Sequence, residues 1–178
     1  MKSLLILGAG GFGHMIKETA QALGYEEIVF LDDMVKEDDV IGMCCDYVIK
    51  HEDYPVAVAA FGNNKTRLFW TDKLLEEGYE VPAIVHPSAV VSPSVTLEPG
   101  CFIMQRSVVN TNTKIERAAL VNSGAVVDHN SVVCAGAHVG LGSVVKANCT
   151  IESGRKVEAG EVIFSTRRKI EGVDSRSL

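Results

Sequence analysis

Two hydrophobic rhythms divide the chain. Over residues 1–83, short apolar runs alternate with stretches whose apolar residues recur at helical spacing. Residues 3–7 read as a strand, and residues 12–23 as a helix with Ile16, Ala20 and Leu23 along one face. A second strand is expected over 27–31. A third, over 56–61, is apolar throughout and so expected at the centre of its sheet. Residues 67–77 predict another helix, carrying Leu68, Leu74 and Leu75 and stopped by Gly78. Strands and helices that alternate with short connections predict a parallel sheet with right-handed crossovers.

From residue 85 the rhythm changes to six. Val85, Val91, Leu97, Ile103, Val109, Ile115, Val121, Val127, Val133, Val139, Val145, Ile151, Val157 and Ile163 stand at consecutive sixth positions. Val, Leu and Ile fill only 23 of the 79 places from 85 to 163. Chance agreement at all fourteen positions has odds of order 10⁻⁸ for one register, which makes a hexapeptide repeat the reading. Four residues after each aliphatic the side chain is small in 11 of 13 hexads, and three residues after it Gly or Asn stands in 9 of 13. The first pattern fills a narrow prism, and the second supplies turns that need positive φ. A β-sandwich would show period two without this beat. Three hexads make one triangular coil, and the repeat gives about 4.3 coils, with Arg155 and Glu161 in small-residue slots marking its approach to an end. The expected organisation is an α/β unit over 1–83, a β-helix over 84–164 and a tail over 165–178.

Composition narrows the function. The 178 residues are 47% hydrophobic and 22% charged, which excludes disorder and supplies a core. Val alone accounts for 24 residues, in keeping with strands. Lys and Arg number 17 against 23 Asp and Glu, a net charge of −6 that argues against a nucleic-acid binder. No apolar run approaches the ~18 residues of a membrane span. The apolar start runs directly into a glycine loop, so no signal peptide is expected. Five cysteines without zinc or redox spacing predict buried thiols in a cytoplasmic protein, with no metal.

Three clusters carry candidate chemistry. Gly8-Ala9-Gly10-Gly11-Phe12-Gly13 joins a strand to a helix, where glycines let backbone N–H groups approach a phosphate. Asp32 follows Gly13 by 19 residues, the place of a ribose-binding carboxylate in a dinucleotide fold, and Asp33 stands beside it. Gly62-Asn63-Asn64-Lys65-Thr66-Arg67 follows the third strand, at the end where open parallel sheets bind ligands; Asn63 or Asn64 can equally cap the next helix. Asp128-His129-Asn130 lies near a turn of the repeat. A histidine of ordinary pKa suits a general base, and a neighbouring carboxylate can fix its tautomer, although an exposed polar histidine is the plainer reading.

Taken with Phe30-Leu31-Asp32-Asp33 and His86-Pro87-Ser88-Ala89, these motifs resemble the nucleotide-amino-sugar N-acetyltransferases of the PglD/NeuD type over residues 3–163. The resemblance implies a small Rossmann-like domain followed by a left-handed, trimeric β-helix. It implies a UDP-linked amino sugar held by Gly8, Gly10, Gly11, Phe12, Gly13, Asp32, Asp33, Asn63 and Asn64. It implies catalysis by His129 with Asp128 at an intersubunit cleft. It also implies acetyl-CoA near His138; the small Gly140 and Gly142 that follow would leave a groove for the pantetheine arm, although a turn explains Gly142 equally well. The family commonly has His in place of Phe12 and Glu in place of Asn130. The basic stretch 165–169 could meet a CoA phosphate or simply be solvated.

The expected function is an acetyl-CoA-dependent acetyltransferase acting on a UDP-linked amino sugar, through nitrogen or oxygen. The alternative is a degenerate relative that binds a nucleotide sugar without transfer. A nicotinamide-dependent dehydrogenase would leave the β-helix unused, and a zinc hydratase would have to gather His86, His129 and His138.

Overall fold

A computed structural model describes residues 2–165. Its first half is a three-stranded parallel sheet of Ser3–Leu7 (β1), Glu27–Leu31 (β2) and Ala57–Ala59 (β3), ordered β2-β1-β3. Helix Gly11–Ala22 (α1) follows β1. A 3₁₀ turn at Cys44–Asp46 and the short helix Tyr47–Lys50 (α2) precede β3, and Asn64–Glu76 (α3) follows it. Strand β1, not β3, is therefore central. The apolarity of β3 comes instead from burial of all three residues, and its outer edge is bridged in parallel fashion by Glu80, next to Val56. Helix α3 begins three residues earlier than its pattern predicts, because the Asn63 side chain caps it by accepting from the Thr66 N–H. Gly78 ends that helix at a φ of 94°.

The glycine loop is tightly built. A Cβ at Gly13 would lie 2.0 Å from the Gly8 carbonyl oxygen, since α1 starts directly against the end of β1. Gly13→Ala is therefore expected to cost about 1–3 kcal/mol, read as a lower midpoint in urea unfolding. An unchanged midpoint would show that the loop yields freely.

Fourteen two-residue strands follow, from Ile84–Val85 (β4) through Val162–Ile163 (β17), as three parallel faces in which each strand pairs with those one coil away. Phe102 opposes Leu120, and Leu120 opposes His138. The result is a Rossmann-like α/β unit joined to a left-handed parallel β-helix. The sixth-position aliphatics from Ile103 to Val157 are buried inside it. Ser107, Thr113, Ser131 and Ser143 occupy small slots, and each hydroxyl donates to a backbone carbonyl, which satisfies it within the prism. Every turn position from Gly100 to Gly160 has positive φ, including Arg106 and Ala118, where neither Gly nor Asn is present. Arg155 and Glu161 do not fill the prism; they pair outside it, at 3.9 Å.

The three outer faces differ. Ile84, Phe102 and Leu120 are buried against α1 and the sheet, in one core with Leu4, Ile6, Ile16 and Phe30. A second face presents Val90, Val108, Val126, Val144 and Val162 in one column; Val90 is 63% and Val162 42% exposed. The third presents Thr96, Lys114, Val132 and Thr150. All five cysteines are free; Cys44, Cys101 and Cys149 are buried, whereas Cys45 is exposed, contrary to expectation. Among the described residues no helix is long and apolar enough to cross a membrane.

Candidate functional site

Within the glycine loop, backbone geometry accounts for some glycines and not for others. Gly8 sits at a φ of 100° and Gly13 has no room for a side chain. At Gly10 and Gly11 a Cβ would meet nothing within 4 Å, and both are exposed. Gly10 caps α1 without a side chain, and the first turn carries no acidic residue. The first N–H groups of α1 thus open onto unobstructed space, a setting that favours an anion. Phe12 does not enter that space. Its ring packs edge-on against Phe102 of the β-helix, with centroids 5.3 Å apart. His14, two residues on, places Nε2 3.3 Å from a Glu37 carboxylate oxygen.

Asp32 is engaged by the fold. One carboxylate oxygen accepts from the Ala9 N–H, and the other from the Met34 and Val35 N–H groups, each at 2.8 Å. Burial pushes this carboxyl up, but the three donors outweigh it and hold the pKa below the ordinary value. Asp32 therefore ties the glycine loop to the end of β2, where the sequence suggests a ribose ligand. Asp33 is exposed and accepts from the Cys44 N–H. Both line a cavity of about 430 Å³ with Val35, Glu37, Gly42 and Met43.

The Gly62-Asn63-Asn64 turn faces a different cavity, of about 540 Å³, together with Lys65, His138, Gly154 and Lys156. This cavity lies where α3 meets the β-helix, so it joins a residue group expected on the sugar side to one expected on the cofactor side. Asn63 is occupied as a cap, but Asn64 reaches across: its amide donates to the Gly154 carbonyl at 3.0 Å. His138 Nε2 lies 3.1 Å from the Asn122 amide, and its Nδ1 is buried without a hydrogen-bond partner among the described residues. Burial, then the positive charges of Arg67 and Lys156, push the His138 pKa down to about 4, against a smaller opposing effect of Glu158. Its imidazole is neutral at physiological pH.

Gly140 does not open a groove. It is buried, and a Cβ there would lie 2.4 Å from the Val157 carbonyl oxygen of the next coil, so packing explains it. Gly142 is exposed with free space around it, at a φ of 62°.

His129 lies at another corner. It is exposed and lines a cavity of about 350 Å³ with Asn110, Thr111, Asn112, Asp128 and Asn130. Asp128 does not reach the imidazole. Its Oδ1 accepts from the Asn110 amide at 3.0 Å and from the His129 backbone N–H at 2.8 Å. Those two donors, Asn110 foremost, hold the Asp128 pKa below its ordinary value. The ring contact falls to Asn130, whose amide is 3.0 Å from Nδ1. Asp128 thus sets the backbone from which His129 projects, and leaves Nε2 toward open space. His129 and His138 line separate cavities.

Sequence reasoning did not single out Asn110, Asn122 or Lys156, and it met Lys65 and Arg67 only as members of the turn after the third strand, without a role. Asn110 stands 18 residues before Asp128, one coil below, so the repeat could have revealed it. Arg67 carries no signal of burial, because a basic residue in the first turn of a helix reads as solvated. The basic stretch from residue 166 lies outside the described residues. Among the described residues no three His, Cys, Asp or Glu gather as a metal-holding group.

Comparison with known proteins supplies the context. The family described as the PglD N-terminal domain matches residues 3–74. PerB from Caulobacter crescentus, in complex with CoA and GDP-perosamine, is 29% identical over 92% of this chain and 89% of its own, with a TM-score of 0.79. The acetyltransferase domain of PglB from Neisseria gonorrhoeae is 30% identical over 92% of each chain, with a TM-score of 0.71. Its complex with acetyl coenzyme A matches at 30% identity over 91% of this chain and 92% of that one, also with a TM-score of 0.71.

Proposed function

The chain belongs to the PglD/NeuD-type family of sugar N-acetyltransferases, acetyl-CoA-dependent enzymes, and from that premise we propose that it acetylates the amine of a nucleotide-linked amino sugar at a cleft between copies of itself. The observation that carries this reading is the cavity shared by the Gly62–Asn64 turn and His138. The open N-terminus of α1 offers N–H groups to the diphosphate, and the cavity beside Asp32 and Asp33 takes the nucleoside. The sugar then extends toward His138.

On this reading the amine nitrogen bonds to the thioester carbonyl carbon, and His129 accepts the proton that the nitrogen gives up. The C–S bond breaks, and CoA leaves as a thiolate that takes a proton in turn. His138, neutral and half-buried, offers hydrogen bonding to the acyl group rather than charge. Because His129 and His138 line separate cavities, the base comes from a neighbouring copy. The valine column supports a homotrimer, since a face of stacked valines, exposed at both ends and half-buried between them, needs cover and a second copy presents the same chain's apolar surface to it.

The family resemblance favours a uridine nucleotide, whereas the PerB complex contains a guanosine one. A thermal-shift comparison of UDP, GDP, acetyl-CoA and NAD separates the readings. A ligand at 100 times its Kd adds ~2.7 kcal/mol, several degrees for a chain of this size. Stabilisation by acetyl-CoA and by UDP in preference to GDP is expected. Stabilisation by a nucleotide but not by acetyl-CoA would instead favour binding without transfer.

A further inference from the structure

Arg67 is the largest fully buried side chain of the described residues, at 0% exposure, and none of its hydrogen-bond partners is a carboxylate. Its Nε donates to the Ala118 carbonyl at 2.8 Å and its Nη2 to the Gly136 carbonyl at 3.0 Å, with Ala137 at 3.4 Å. Nη1 donates to the carbonyls of Phe61 at 3.0 Å and Gly62 at 3.5 Å, and Nη2 also reaches Asn64 Oδ1 at 3.0 Å. Ala118, Gly136 and Gly154 are the same turn position in three successive coils, all at positive φ. Arg67 grips the first two, and Asn64 the third. At Gly136 a Cβ would press on Leu68 at 3.1 Å, so the glycine lets α3 come this close.

An apolar side chain would join these surfaces without the heavy desolvation cost of a guanidinium that lacks a counter-ion. The guanidinium adds direction: a rigid planar fork fixes the turn after β3 relative to the residues that lead into His138. We propose that Arg67 is a positioning residue for the transfer reaction, holding the Gly62–Asn64 turn and the coil that carries His138 as one hydrogen-bonded unit. The inference rests on the function proposed above. Electrostatics support it. The groups that face His138 are Arg67 from α3, Lys156 and Glu158 from the next coil, and Lys65 across the cavity. Arg67 stays charged even though burial pulls its pKa down to about 10, and its charge helps keep the imidazole neutral.

The test uses the full chain and two variants. Arg67→Lys keeps the charge but loses the fork; kcat is expected to fall by about 10–100-fold with both KM values changed less than about threefold. Asn64→Asp sets a carboxylate against Arg67. The His138 titration, followed by NMR, is then expected to move upward. The acidic limb of kcat/KM moves up with it, because a protonated His138 is lost to the reaction as pH falls. If Arg67→Lys folds with unchanged kcat, or if Asn64→Asp leaves both the titration and the acidic limb in place, the role is merely structural and the proposal fails. Should Arg67→Lys not fold, Asn64→Asp decides alone. A wild-type chain inert toward every amino-sugar nucleotide would instead overturn the parent reading, while the His138 titration would still report the Arg67 coupling.

Discussion

Replacing His129 with Ala is expected to lower kcat for acetyl transfer by about 10²–10⁴-fold, the usual loss of a general base. The same variant should unfold within about 0.5 kcal/mol of the parent, because the ring is exposed and, among the described residues, hydrogen-bonds only with Asn130. That combination separates chemistry from folding. CoA release in the presence of an amino-sugar nucleotide is the measurement, and unchanged turnover would remove His129 from the mechanism. Asp128→Asn should be milder. Its carboxylate acts on the backbone of the turn and on Asn110, so the loss comes from misplacement of a base that is still present.

The second large effect concerns the valine column. Changing Val126 and Val144 together to Asp places carboxylates on the valine face, which lies outside both the prism interior and the core shared with the α/β unit. Their inward neighbours Val127 and Val145 are untouched, so each coil keeps its core. If that face is the contact between copies, each buried carboxylate costs several kcal/mol and the assembly comes apart. Light scattering should then report a monomer with unaltered circular dichroism, and transfer should fall by more than about 10²-fold, because the histidines that must cooperate line separate cavities. A variant that keeps its parent's mass and activity would place the subunit contact elsewhere. A fully active wild-type monomer would dismiss the intersubunit cleft altogether.

Much of the architecture was legible because it repeats. A six-residue beat reflects a local constraint, one inward aliphatic and one small slot per face, and it fixes the coil without long-range information. The α/β unit was legible to the level of its elements but not of their order. An apolar β3 is predicted central, yet it lies beside β1 and is bridged by Glu80, a residue outside any named strand. Burial from above and below gives the same sequence signature as a central position.

The site was legible as a set of motifs and not as a set of roles. Asp32 has the spacing of a ligand carboxylate, but three backbone N–H groups claim both of its oxygens. Phe12 stands within a binding loop and packs on the β-helix. Gly140 looks like room for a cofactor, though the next coil fills that room. The partners of Phe12 and Gly140 are distant in the chain or stacked one coil away, and so is the Ala9 donor to Asp32, whereas its donors Met34 and Val35 are local.

What the sequence determined by itself is therefore the prism, the glycine-loop strand–helix unit and the presence of two histidines nine residues apart. Those follow from local periodicity and turn chemistry, which neighbours in the chain dictate. Only the tertiary structure decided that Arg67 is buried, that the Gly62–Asn64 turn shares a cavity with His138, and that His129 stands apart from both. The reason is geometric. A helix residue does not reveal which surface it will meet, and α3 meets one corner of three successive coils through carbonyls whose directions are set by left-handed turns far away in sequence.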